Sequence, residues 1–550
     1  MRIFYILISI LLLASCSKSP RVRQNIFRYN ESKGISTLDP AFARNQTIIW
    51  PVNQIFNGLV QLDENLNVLP CIAQSWECTE EGRVYTFYLR RDVRFHDHAS
   101  FPGGRGRQVV ASDFVYSMNR IIEPDLASPG AWIFNAVDRQ AENSINGFQA
   151  VSDTVFRIFL KEAFPAFTGL LTMPYCSVVP REAVLSLGED FRREPIGTGP
   201  FRFRYWRENE KLVLLRNENY FEFDEHGNRL PYLDAINIGF TRDKQSEFME
   251  FMMGRLDFLS GVHAVYKDEM ITRNGKLNPV HEDRIRMISQ PYLNTEYLGF
   301  LLDPQLDAVQ GSPVLDKKIR LAINYGFDRE KMIKYLRNNI GQAAISGFVP
   351  LGMPSFSQEM VPGYTYNPDR ARDLLSQAGY PMGVGLPEIT LTTTSDYQDL
   401  CEYIQHELFE IGIVLNIEVN TGASFRDRMA NGQLEFFRGS WIADYPDAEN
   451  YLSLFYSRNF SPSGPNYTHF NDPWYDRLFE KALGTIDEKN RHAMYQSLDS
   501  TIIAEAVIVP LYYDQVLRFI PKDLEGLGSN PMNLLSLKRA CWSADPSEME

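Results

Sequence analysis

From Ser75 to Arg94 the chain reads SWECTEEGRVYTFYLRRDVR, two runs of alternating apolar and polar residues around Glu81-Gly82, with Tyr85, Phe87 and Leu89 on one side. A two-residue period sends successive side chains to opposite faces, so this stretch predicts a β-hairpin in a half-buried sheet. KLVLLRNENYF (211–221) and LDAINIGF (233–240) predict further strands, separated by the turn-rich HGNRLP. Apolar residues at three and four spacing predict helices over Asp316–Leu336, Asp369–Ala378 and Tyr397–Gly412. The second is followed by Gly379 and Pro381, a combination that ends helices because glycine adopts the left-handed cap and proline cannot continue the ladder. From about residue 385, ITLTTTS, a helix and IVLNIEV follow one another, the alternation of α/β units. No 20–50 residue repeat or low-complexity segment interrupts the pattern.

Composition narrows the class. The 550 residues are 44% hydrophobic and 23% charged, enough for two or three domains with their own cores. A formal charge of −14 argues against a broad nucleic-acid or anionic-lipid surface, which needs clustered Lys and Arg. Residues 1–20, MRIFYILISILLLASCSKSP, carry one Arg, an apolar run from Ile3 to Leu13 and then small residues. That run is too short to span a bilayer and predicts a signal peptide over 1–15. Leu13-Ala14-Ser15-Cys16 resembles the lipobox of bacterial lipoprotein precursors, which implies lipidation of Cys16, a polar tether over 16–25, and an exported chain anchored to a bacterial membrane. The other cysteines, Cys71, Cys78, Cys176, Cys401 and Cys541, are odd in number, so at least one is free. Cys71 and Cys78, the nearest pair, read as buried apolar residues or as a bridge.

Catalytic chemistry finds no foothold. There is no GxSxG elbow, no Walker loop and no GxGxxG after a strand. His406-Glu-Leu-Phe-Glu410 lacks the second imidazole of a zinc-protease helix and predicts a solvated helix face. His96-Asp97-His98 follows a strand without a third ligand nearby and predicts a turn. No catalytic residue, metal site or cofactor is assigned.

One cluster stands out. RGSWIADYPDAENY (438–451) sets a cation and an indole before Asp444, Asp447 and Glu449. VLPCIAQSW (68–76), YTFYLRRDVRFHD (85–97) and ASDFVYSMNR (111–120) resemble the signature region of the extracellular solute-binding proteins of family 5, the peptide and nickel receptors of ABC importers. The resemblance continues in order through TLDP (37–40), IGTGPFRF (196–203), GRLDFL (254–259), IRLAINYGFDREKMI (319–333), YNPDRARDLLSQAGYP (366–381), WIADYPD (441–447) and IVPLYYD (508–514).

The resemblance implies an α/β fold like the type II periplasmic binding proteins: two lobes with a hinged cleft, plus an additional smaller α+β domain. Domain I would comprise 26–62, 185–292 and 506–550, domain II (the additional one) 63–184, and domain III (the second lobe) 293–505. It also implies a monomeric receptor that captures peptides and delivers them to an ABC permease and its ATPase. A nickel chelate, haem or sugar as ligand, or a sensory or structural role, are the alternatives, because a fold does not fix a ligand.

A peptide brings an ammonium, a carboxylate and unpaired amides, each costly to bury without partners. By match to the family, Asp444 takes the α-ammonium and Trp441 walls a side-chain pocket. The backbone of Arg438, Gly439 and Ser440 would pair with the extended ligand as an added strand does. Arg438 is either the partner of the ligand's carboxylate or a surface arginine. Arg44, Asn45 and Gln46, after the TLDP segment, should reach the cleft. Tyr292 is either a ligand contact or core packing beside the lobe crossing.

The chain also departs from the family. Gly130 stands where oligopeptide receptors carry an aromatic after A-S-P, leaving Trp132 as the candidate contact from the additional domain. Ile442 and Asn294 occupy positions where some members pair two cysteines. Residues 95–113 lengthen a usually short turn into a Gly-rich loop. Asp447 and Glu449 are expected as turn and helix-start residues.

Overall fold

A computed structural model describes residues 25–543 apart from Val262. The signal peptide, Cys16 and nearly all of the tether lie outside the described residues.

Three sheets organise the chain. In the first, Ile26–Asn30 runs parallel to Ala235–Gly239, which pairs antiparallel with Lys211–Arg216 and so with Phe201–Arg207. The predicted strands at 211 and 233 are therefore direct neighbours, with Leu212 and Leu214 buried on one face. The second sheet contains the predicted hairpin, Ala73–Thr79 with Val84–Leu89, extended by Val155–Phe159 and Phe148–Ser152. Glu80, Glu81 and Gly82 turn the chain at positive φ. Cys78 is exposed on the outer strand, correcting its reading as a buried residue, and all five described cysteines are free.

The third sheet has seven strands and carries the connection between the lobes. Two long strands, Ile285–Phe300 and Ile508–Pro521, pair antiparallel through most of their length. The register shifts between Pro291 and Thr295. Phe436–Ile442 lies beside the first of them, followed by Ile389–Thr394 and Leu415–Asn420. The last two are parallel and joined by helix Gln398–Phe409, the predicted α/β unit.

Alternation decides which core each residue enters. Leu298, Phe300 and Phe436 point into one core of the second lobe, and Leu293, Tyr297 and Phe437 into another on the opposite face. A third core runs without a break from the first sheet (Phe27, Phe201) to the hairpin sheet (Phe87, Phe156).

The helix predicted over 316–336 is two helices, Lys317–Tyr325 and Arg329–Leu336. Asp328 is the reason: its side chain accepts the Lys331 amide and caps a new helix after Gly326 closes the first. The next helix runs Pro368–Gln377 under an Asn367 cap, with Gly379 at φ +93° just beyond. Gln398–Phe409 stops three residues short of the predicted Gly412.

Candidate functional site

A cavity of about 950 Å³ opens between the lobes, within the range of small-molecule and cofactor sites. Arg44, Asn45 and Gln46 line it where helix Gln46–Ile55 begins, and Trp132 and Tyr175 enter from the additional domain. Tyr292 lines it at the lobe crossing, and Ile442, Ala443 and Asp444 from the second lobe. Six of the ten ligand-binding candidates thus share one cavity: Arg44, Asn45, Gln46, Trp132, Tyr292 and Asp444.

Asp444 follows strand Phe436–Ile442 and is set in place by Asn450, a buried residue of the short helix Glu449–Leu452. Asn450 Oδ1 accepts both the Trp441 indole Nε1–H (3.0 Å) and the Asp444 amide (3.2 Å). Asn450 Nδ2 donates weakly to Asp444 Oδ2 at 3.5 Å. Asp444 forms no ion pair among the described residues. Its exposed surface faces the cavity, and the surrounding protein strips enough water to push its carboxyl above the usual range, with Asn450 offsetting part of this. An anion in this position is costly until a cation arrives.

The neighbouring candidates sit differently. Arg438 donates through Nη2 to Glu296 and stacks its guanidinium 3.2 Å from the Tyr397 ring centroid. Both charges are withdrawn from solvent, at 13% and 3% side-chain exposure, so Arg438 is neutralised within the protein and does not line the cavity. Ser440 Oγ donates to Glu296 Oε1 at 2.8 Å, and Asn294 Nδ2 reaches the same oxygen at 3.1 Å. Arg337 is likewise held by Asp514 Oδ1 (2.8 Å) and the Tyr512 hydroxyl (2.8 Å). Gly439 lies over the Tyr297 ring, where a methyl group would overlap it. Trp441 packs on the core beneath the strand.

Strand Phe436–Ile442 keeps one open edge. Ile389–Thr394 pairs with it only at Phe436 and Phe437, while Ile285–Phe300 takes the other side from Phe436 through Ile442. Beyond Phe437 the open edge has no ladder partner among the described residues. Tyr292 accepts a hydrogen bond from Gln46 Nε2 at 3.4 Å, and burial with the Asp514 charge pushes its phenol up to about 12. Trp132 meets Tyr445 of the second lobe, ring centroids 6.2 Å apart.

Asp447 and Glu449 take local roles: Asp447 Oδ1 accepts the Glu449 amide at 3.0 Å, and Glu449 accepts the Tyr445 hydroxyl. His96 is buried with a ring nitrogen 2.9 Å from the Gly199 carbonyl oxygen; desolvation lowers its pKa to about 4, and the hydrogen bond to Gly199 offsets part of the shift. Glu296, Arg337, Asp514, Tyr175 and Asn450 were not read from sequence as site residues. Only Asn450 carried a nearby signal, six residues after Asp444 at a helix start.

Two lobes, a cavity between them and two long strands crossing from one to the other define a type II binding protein with an additional domain. The chain belongs to the bacterial extracellular solute-binding proteins, family 5, whose middle-region model matches residues 67–462. The family is exported and binds substrates. The chain is 25% identical over 529 residues to Heme-binding protein A of Haemophilus influenzae, covering 91% of each chain. It is 25% identical over 533 residues to the periplasmic oligopeptide-binding protein OppA of Salmonella typhimurium, covering 94% of this chain and 92% of that one. Among solved structures, HbpA2 from Haemophilus parasuis superimposes with a TM-score of 0.81 at 21% identity, covering 94% of this chain and 100% of the other. An unliganded open form of the murein tripeptide binding protein MppA superimposes at 0.76 with 23% identity, covering 94% and 98%. No helix among the described residues is long and apolar enough to cross a membrane.

Proposed function

We propose that this protein is the substrate receptor of an ABC importer, anchored to a bacterial membrane through lipidated Cys16, which captures peptides in the interlobe cavity and delivers them to the permease. Asp444 binds the ligand's α-ammonium, and the open strand edge beyond Phe437 pairs with the ligand backbone, an affinity that ignores side-chain identity. The observation that carries this reading is a carboxylate without a cation, facing a cavity beside an unpaired strand edge. Gln46, Asn45, Trp132 and Tyr292 complete the walls, and Trp441 supports Asp444 through Asn450.

The receptor acts as a monomer without a catalytic step. Its first lobe is assigned to 26–62, 185–292 and 506–550, its additional domain to 63–184 and its second lobe to 293–505. Mass spectrometry of the small molecules released when the purified protein is denatured tests the reading. Peptides with free amino termini are expected. Recovery of haem, a metal chelate or a sugar in stoichiometric amount, without peptides, refutes it.

A further inference from the structure

A peptide has two charged ends, and the cavity answers only one of them with Asp444. The second-lobe arginines beside it are occupied, Arg438 by Glu296 and Arg337 by Asp514. Among the cations lining the cavity, Lys244 pairs with Glu247 at 2.6 Å, whereas Lys33 and Arg44 form no ion pair among the described residues. Arg44 is distinguished by its position before a helix start. It lines the cavity from the first lobe, it is exposed there, and it forms no ion pair among the described residues.

Arg44 stands two residues before the first residue of the ten-residue helix Gln46–Ile55, with Asn45 between them at the N-cap position. Asn45 receives the Thr47 hydroxyl (2.7 Å) instead of capping a backbone amide, so the amides of Gln46 and Thr47 have no acceptor among the described residues. A helix start with free amides favours an anion. Beneath the same wall Arg518 is fully buried and, among the described residues, hydrogen-bonded only to neutral acceptors at Gly528, Asn533 and Leu534. Its guanidinium stands 6.0 Å from the ring of Trp50, which lines the cavity.

We propose that Arg44, rather than Arg438, receives the ligand's carboxylate, so that the ligand is a zwitterionic peptide laid across the cleft with its ammonium on Asp444 and its carboxylate on Arg44. This rests on the peptide reading above and adds to it a charge partner. Because the two charges sit on opposite lobes, a ligand carrying both ends gains most when the cleft is closed. A ligand stabilises closure only through such differential contacts.

The test compares three probes on wild type, Arg44→Gln and Arg44→Lys: a randomised tripeptide pool, the same pool amidated at its C-terminus, and the same pool acetylated at its N-terminus. Binding is read by native mass spectrometry and by the shift in melting temperature, with circular dichroism confirming the fold of each variant. In wild type, amidation is expected to weaken binding at least tenfold. In Arg44→Gln the free-acid and amidated pools should bind alike within twofold, while Arg44→Lys keeps most of the amidation penalty. An undiminished penalty in Arg44→Gln overturns the assignment and leaves the peptide reading standing. Failure of all three pools to bind wild type overturns both.

Discussion

Replacing Asp444 by Asn removes one charge and preserves the side-chain shape, so it isolates what the carboxylate does. Among the described residues this group has a single weak side-chain contact, Asn450 at 3.5 Å, and no cation partner. Most of its hydrogen-bonding capacity therefore faces the cavity. A charge-assisted hydrogen bond contributes about 1.5–3 kcal/mol. At about 1.4 kcal/mol per factor of ten, its loss weakens peptide binding roughly tenfold to 150-fold. Protonation gives the same interaction an independent signature. Desolvation by the surrounding protein raises the Asp444 carboxyl above its ordinary value in the free receptor, and an ammonium beside it favours the charged form. The complex then holds fewer protons at this site than the free receptor does, so affinity falls as pH drops through the raised value. Asp444→Asn should lack this decline. Isothermal titration with the peptide recovered from the protein, between pH 4 and 8, measures both effects. An affinity within threefold of wild type at pH 7, or an acid-side decline that persists in the variant, would refute the reasoning.

Three further outcomes follow from the packing. Arg438→Met leaves Glu296, at 3% side-chain exposure, charged and unpaired; a loss of about 3–5 kcal/mol is expected by denaturant unfolding, with much of it recovered in Arg438→Met/Glu296→Gln. If the two variants are equally stable, the pair is not coupled. Burial raises the Glu449 carboxyl to about 7, whereas an unfolded glutamate titrates near 4.3. The folded chain thus holds a proton that the unfolded chain has released, and stability falls as pH rises from about 4 to about 7. Glu449→Gln should gain up to about 4 kcal/mol relative to wild type over that window, and a constant difference between the two melting curves would contradict it. Gly439→Ala drives a methyl group into the Tyr297 ring and should cost about 1–3 kcal/mol of stability, read by the same unfolding assay; a neutral substitution would mean that the ring yields freely.

Local rules made much of this architecture legible. The hairpin around Glu81-Gly82 and the 389–420 α/β unit appear as read, because period, turn residues and helix stops are written within a few residues of where they act. Asp328 escaped for the opposite reason: a helical spacing continues across it, and only its cap shows that the helix restarts. The cavity-lining positions of Asp444, Arg44 and Trp132 could be nominated through family resemblance. The state of Arg438 could not. Its partner Glu296 is 142 residues away, and the two meet only because Glu296 pairs in register with Ser440 on the adjacent strand. Such a pairing is a property of the assembled sheet, and no window of sequence contains it.

The unbroken core beneath the first and second sheets sets how this receptor comes apart. Phe27 and Phe201 belong to the same apolar cluster as Phe87 and Phe156, so excising the additional domain would strip the floor from the first lobe. A protease nick in an exposed loop would leave the two sheets joined through that core. The same continuity gives the receptor two jaws and not three. Arg44 and Trp132, nearly ninety residues apart in the chain, line the same cavity above one continuous core.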